Sequence, residues 1–385
     1  MSGSKTILIL GGGMGGLVTA VTLRKKLPRS NRIILVDKEG DHLFQPSLLW
    51  LMTGARRPEQ IVRPLDRLKR KGIEVIRGTV ESIDPEHRSA VVNGTTYTSD
   101  FLVIALGAEL APEVIPGLSE GGHSFYTLEG AKQLHQAFQT FRSGRLVVMT
   151  AAPAYKCPAA PYEAAMLLES ELRKRRVREG VKIDLYAAEP GPMGVAGPEV
   201  SAAVRGMVEA KGIPYHPEHQ IAAVDAANKK LHFTNGAEPE YDLLAYVPPH
   251  RAPKVVRESG LVNEAGWIPV DRSTLQTRFD GVFAIGDITT IPLKLGKPLP
   301  KAGVFAHGQA EVVANNLARA ITGKGEPATF TGHGECFVEL GDGRAALGRG
   351  NFFGEPRPQI EMKAPGWRWH LGKVLFEKLW LWRWF

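Results

Sequence analysis

Apolar residues along this chain come in short continuous blocks separated by helix-period segments, with little simple alternation. Residues 5–10 form the first block, rich in β-branched side chains. Glycines follow, then a helical pattern that runs to about Leu27. A second block, Arg32-Ile33-Ile34-Leu35-Val36, stops at Asp37. Blocks of this kind suit strands buried on both faces, and strand, helix and strand in succession read as a parallel β-α-β unit. The pattern then predicts a helix near 58–71, a strand at Glu74-Val75-Ile76, and a hairpin across Val91–Tyr97 on an Asn93-Gly94 turn. A further buried strand, Phe101–Leu106, ends at Gly107.

The alternation then begins again. A block from Arg145 to Met149 leads through a helix from about Pro161 to Arg176 and on to a strand over Lys182–Ala187. Later, Gly281–Ile285 reads as a strand ending in Gly286-Asp287, with a helix expected from about Lys301 to Ile321. Beyond 330 the chain changes to short strands, an Asp342-Gly343 turn and an aromatic tail. The expected class is α/β, with two nested Rossmann-type domains and a small C-terminal region. Residues 1–112 and 272–330 would form the first domain, 113–271 the second and 331–385 the C-terminal region. Its last segment, 366–385, is read as an amphipathic membrane-binding helix.

Composition adds limits. The 385 residues are 43% hydrophobic and 23% charged, enough for a large core and too long for one typical domain. The net charge of +8 allows an anionic partner, but the basic residues are scattered. Runs such as Arg67–Lys71 and Arg173–Arg176 sit at helix ends, where cations complement the dipole, so no nucleic-acid partner is expected. Two cysteines, Cys157 and Cys336, make neither a disulfide framework nor a metal site. With no signal-like start and no apolar run of ~18 residues, the chain is expected to stay on the cytoplasmic side without crossing a membrane.

Gly11, Gly13 and Gly16 stand between the first strand and the first helix in the spacing G-x-G-x-x-G. The first glycine makes the tight turn, the second lets backbone approach a pyrophosphate, and the third lets helix pack on strand. The helix N-terminus then faces the phosphates. Asp37, about 20 residues beyond Gly16, is placed to accept ribose hydroxyls, with Lys38 beside it. Ala105 and Gly107 close a strand that resembles a second flavoprotein motif, with Leu106 where threonine is usual. Gly286 and Asp287 resemble a third, whose acid meets the ribityl chain. Together these segments point to FAD.

The second β-α-β turn differs. After Met149 comes Thr150-Ala151-Ala152-Pro153-Ala154-Tyr155, without a glycine to admit a second pyrophosphate, so NADH is not the expected electron donor. Glu189, where a ribose-reading acid would sit, is taken as scaffold. The same loop carries Cys157-Pro158, followed by Pro161-Tyr162-Glu163 at a helix start, where a dipole would stabilise a thiolate. Glu163 reads equally as a dipole partner or as a nearby proton carrier.

The flavoprotein motifs, His42-Leu43-Phe44-Gln45-Pro46-Ser47, the Cys157–Glu163 segment, Leu299-Pro300-Lys301-Ala302-Gly303-Val304 and Gly334-Glu335-Cys336 together resemble the sulfide:quinone oxidoreductases and flavocytochrome c sulfide dehydrogenases. The resemblance spans essentially the whole chain. It implies that Cys157 and Cys336 form a redox-active disulfide attacked by hydrosulfide, with Cys336 nearer the flavin. It implies that Lys301 stabilises negative charge on the flavin, and that Pro46 and Ala302 lie against the cofactor. Many relatives carry a third cysteine near Gly122–Thr127; this chain has Tyr126 there.

Five of the seven tryptophans fall in the last 19 residues. On a helix, His370, Lys373 and Glu377 share a polar stripe, while Leu371, Val374, Leu375, Leu379 and Trp382 cover much of the rest. Lys373, Lys378 and Arg383 are expected to reach lipid headgroups. Such an anchor beside the flavin favours a membrane quinone as acceptor of the electrons from sulfide. The alternatives are a sulfide dehydrogenase flavoprotein reducing a cytochrome c, a type II NADH dehydrogenase, and a flavin-bound redox sensor. Homo-oligomerisation is left open.

Overall fold

The computed structural model describes residues 3–385. Its first sheet has five parallel strands, in the spatial order Val282–Ala284, Phe101–Ile104, Thr6–Leu10, Arg32–Asp37, Glu74–Arg77. Ile7 to Leu10, Ile33 to Val36 and Leu102 to Ile104 are essentially inaccessible to solvent, because helices and loops cover both faces. The strand order reverses between Thr6–Leu10 and Phe101–Ile104. A crevice at the carboxyl ends of strands opens at such a point.

The second sheet is also parallel and five-stranded, ordered His123–Ser124, Leu243–Val247, Gly144–Thr150, Val181–Tyr186, Tyr215–His216. All of its strands lie in sequence between Phe101–Ile104 and Val282–Ala284 of the first sheet. A third, antiparallel sheet follows: His333–Gly341, Arg344–Asn351 and Gln359–Gly366. These strands are eight or nine residues long, longer than the sequence suggested. The hairpin on Asn93-Gly94 forms, with both residues at positive φ.

One predicted helix does not form as such. Residues 58–71 divide into a short helix Pro58–Ile61, a strand Val62–Pro64 and a 3-10 helix Leu65–Lys71. Pro64 removes a helical N–H, and Val62–Pro64 instead pairs antiparallel with Asp41–Leu43. The last helix, Trp367–Arg383, is seated against the third sheet, and its Trp380 also reaches His42 in the strand Asp41–Leu43. Among the described residues no helix is long and apolar enough to cross a membrane, and no cluster of three or more His, Cys, Asp or Glu side chains could hold a metal.

Candidate active site

The glycine turn sits at the switch point of the first sheet. Gly11 has φ +103°, and a Cβ there would come within 2.3 Å of the Ala105 carbonyl oxygen. A Cβ on Gly16 would come within 1.8 Å of the Gly11 oxygen. Gly13 differs, since a Cβ there meets nothing within 4 Å and no side chain caps the helix it begins. Backbone crowding therefore explains the outer two glycines, and open space beside a helix N-terminus explains the middle one. Asp37 accepts hydrogen bonds from the Gly12 amide at 2.7 Å and, through its other oxygen, from Glu39 and Gly40. Lys38 is exposed and lies 3.6 Å from Glu39.

Gly107 and Gly286 both adopt positive φ, and the Gly286 amide donates to Gln309 Oε1 at 2.6 Å. Asp287 follows in a short turn, with its Oδ1 buried and without a hydrogen-bond partner. Burial raises the Asp287 pKa, opposed by the ammonium groups of Lys156 and Lys301. Lys301 lies outside the helix it was expected to open, which starts at Gly303 with Ala302 as its N-cap. Its ammonium donates to the carbonyls of Asp287 and Thr289 at 2.7 and 3.1 Å and lies 3.4 Å from the centre of the Trp267 ring. Burial lowers the Lys301 pKa to about 8.

Cys157 lies in the loop before the helix Ala160–Lys174 at φ +52°, a left-handed conformation unusual for cysteine. Three contacts hold it there. Its amide donates to the Lys301 carbonyl at 2.7 Å, its carbonyl accepts from Ala160, and Tyr126 Oη donates to the carbonyls of Lys156 and Cys157 at 2.9 and 3.2 Å. Cys336 sits in the strand His333–Gly341, opposite Gly348. Both cysteines line one cavity of about 870 Å³, and both are free thiols. Pro46, Met14, Lys301, Ala302, Phe376 and Trp380 line the same space.

The thiolate expected at Cys157 is not favoured. Burial pushes its pKa well up, and the neighbouring Cys336 and Glu163 push it further than Lys373 can offset. Burial likewise raises Cys336 to about 12. Desolvation disfavours the charged thiolate form.

Glu163 is buried and accepts from the Glu339 amide at 2.9 Å and from Lys373 Nζ at 2.8 Å. Lys373 was expected to reach headgroups, but it is 5% exposed and turned into the protein. The whole polar stripe of the tail helix faces inward. His370 meets Glu339 at 2.9 Å, and Glu377 accepts from Ser47 and Arg56 at 2.6 and 2.9 Å. The apolar face is left outside: of the seven large hydrophobic residues exposed among the described residues, six are on this helix, with Trp382 at 77% and Trp367 at 71%. Lys373, His370 and Glu377 thus pair with Glu163, Glu339, Ser47 and Arg56, partners far away in sequence. Only the polar stripe hinted at these pairings.

Glu189, at the end of the strand Val181–Tyr186, accepts from Thr150, Tyr155 and Tyr162 hydroxyls. A ribose would have to displace all three.

A glycine cradle with an open middle position, a carboxylate with one buried, unpartnered oxygen and a largely apolar cavity bordered by Met14 and Lys301 fit a dinucleotide carrying a flat ring system. Residues 5–310 match the family described as pyridine nucleotide-disulphide oxidoreductase. The chain belongs to that family. Within it, the chain is 29% identical to the sulfide-quinone reductase of Aquifex aeolicus over 99% of this chain and 91% of that one. It is 24% identical to the mitochondrial sulfide:quinone oxidoreductase of Mus musculus, covering 91% of this chain and 79% of that one. The X-ray structure of the Aquifex aeolicus sulfide:quinone oxidoreductase superposes with a TM-score of 0.89 at 28% identity, over 99% of this chain and 91% of that one.

Proposed function

We propose that the chain is an FAD-dependent sulfide:quinone oxidoreductase that works from the membrane surface. The observation that carries this reading is the meeting of Cys157 and Cys336 in one cavity that Phe376 and Trp380 of the tail helix also line. In the oxidised enzyme the two sulfurs form a disulfide. Hydrosulfide attacks it, so that one S–S bond breaks, a persulfide forms on one cysteine and a thiolate is left on the other.

Bound FAD supplies a two-electron relay between sulfur and quinone. Gly11, Gly13, Gly16 and Asp37 would hold its adenine half, with Lys38 nearby. Pro46, Ala105, Gly107, Gly286, Asp287, Lys301 and Ala302 would hold the remainder. Lys373, held by Glu163 on the cavity wall, would offer an ammonium proton to a quinone oxygen entering the cavity. The balance is hydrosulfide, quinone and one proton giving sulfane sulfur and quinol.

Residues 1–112 with 272–330 are read as the FAD-binding unit and 113–271 as the nested second unit. Residues 331–385 form the acceptor side. The outward Leu371, Leu375, Leu379, Trp367 and Trp382 enter one leaflet on the cytoplasmic face, with exposed Arg368, Lys378 and Arg383 at headgroup level.

The expected result of mixing the purified protein with sulfide is that its flavin bleaches and that decylubiquinone restores the colour. Cys336→Ser loses the bleaching by at least about 100-fold, since no persulfide and thiolate pair can form. Bleaching by NADH in place of sulfide, or full retention in C336S, defeats the reading. Cytochrome c reduction without quinone turnover would move the acceptor to a haem protein.

A further inference from the structure

The strand Asp41–Leu43 places His42 between two parts of the molecule that are remote in sequence. Its Nδ1 lies 3.0 Å from the Gly12 carbonyl oxygen, and its Nε2 lies 3.0 Å from Trp380 Nε1. The indole N–H can only donate, so Nε2 is the bare nitrogen. Nδ1 therefore carries the proton and donates to Gly12. His42 and Trp380 are 1% and 3% exposed, so water replaces neither bond. Burial keeps the ring neutral, lowering its pKa to about 4.

The Gly12 carbonyl is not a neutral place to hold. Across a trans peptide, the carbonyl and the next N–H point in opposite directions. Fixing the Gly12 oxygen toward His42 therefore turns the Gly13 N–H away from it. Gly13 is the residue whose surroundings are open and whose helix end lacks a side-chain cap. The tail helix thus has a hydrogen-bonded line, through one imidazole, to an amide of the anion cradle.

We propose that His42 is a positioning residue that couples seating of the tail helix to the grip of the glycine turn on the FAD pyrophosphate. The inference rests on the FAD reading above and goes beyond it. By reciprocity, whatever holds the tail in place also tightens the cradle, and a filled cradle holds the tail.

The test uses the full-length holoprotein and three variants. Trp380→Phe keeps an aromatic ring and removes the donor. His42→Gln removes the imidazole bridge. Trp384→Phe alters another buried tail tryptophan that makes no bond to His42. FAD release is followed by the rise in free-flavin fluorescence, and amide hydrogen exchange is followed at residues 11–16 and 367–383. The expected result is that W380F and H42Q release FAD about ten times faster than wild type, the scale of one buried hydrogen bond with its partner left unsatisfied. The 11–16 amides should exchange faster in both, and W384F should leave these readouts near wild type. Unchanged release and unchanged 11–16 exchange in W380F overturns the proposal. So does W384F matching W380F, because general loosening of the tail would then explain the effect. Flavin absorbance of the wild type reports the parent reading separately, and the 11–16 exchange tests the clamp whether or not flavin is bound.

Discussion

At the scale of single residues, the cavity wall is set by one buried ion pair. Glu163 and Lys373 are 2% and 7% exposed in their side chains and 2.8 Å apart, which leaves neither charge a route to water. Removing one partner of such a pair strands the other, typically at a cost of about 3–5 kcal/mol. Glu163→Ala should therefore lower stability by about 3 kcal/mol in chemical denaturation. Glu163→Ala combined with Lys373→Met should recover much of that loss. If the double variant is as unstable as the sum of the singles, the two side chains do not act as a pair. The same residues illustrate a limit of sequence. Glu163 was readable only as a first-turn acid with two equal interpretations, because its partner lies 210 positions later.

Elements with continuous apolar cores were legible from their own residues. The strands Thr6–Leu10, Arg32–Asp37 and Gly144–Thr150 are local facts of composition, and so is the turn at Asn93-Gly94. The segment 58–71 was not, because its middle is recruited by Asp41–Leu43, a pairing that no short-range pattern records. The tail helix lies between these cases. Its two stripes were plain in the sequence, but the direction each faces depends on Ser47, Arg56, Glu163 and Glu339, all supplied from outside the helix.

With those partners in place the polar stripe turns in and the apolar stripe turns out, which allows a prediction at the level of the element. Leu375→Glu with Leu379→Glu should reduce co-sedimentation with anionic phospholipid vesicles by tenfold or more, at about 1.5–3 kcal/mol per leucine removed from lipid. Because both leucines are exposed, at 52% and 57%, the melting temperature should stay near that of wild type. Equal vesicle binding by wild type and variant would assign the face to something other than lipid.

Over the whole molecule, four polar tethers tie the tail to separate regions: His370 to Glu339 of the third sheet, Lys373 to the helix that follows Cys157, Glu377 to Ser47 and Arg56, and Trp380 to His42 and the glycine turn. Only the last depends on a neutral imidazole. The folded pKa of His42 is about 4, below the unfolded value of 6.5, so the folded state prefers the unprotonated ring. The stability that follows is fully present above pH 6.5 and is lost as pH falls toward 4. Burial is the main cause, the Gly12 carbonyl opposes it, and no charged neighbour contributes. The ring's other close contacts are the aromatic rings of Trp380 and Phe385.

His307 packs on Trp380 and Trp384 and is itself lowered by burial, with Glu311 opposing and Arg383 assisting. It titrates in the same direction and must be subtracted. Comparing wild type with H42Q does this, since His307 is common to both. The stability gap between them should narrow by about 3 kcal/mol from pH 7.5 to pH 4. Unfolding followed by tryptophan fluorescence measures it well, because five of the seven tryptophans are in the tail. A gap that stays constant over that range would mean His42 is not held neutral between the glycine turn and the tail.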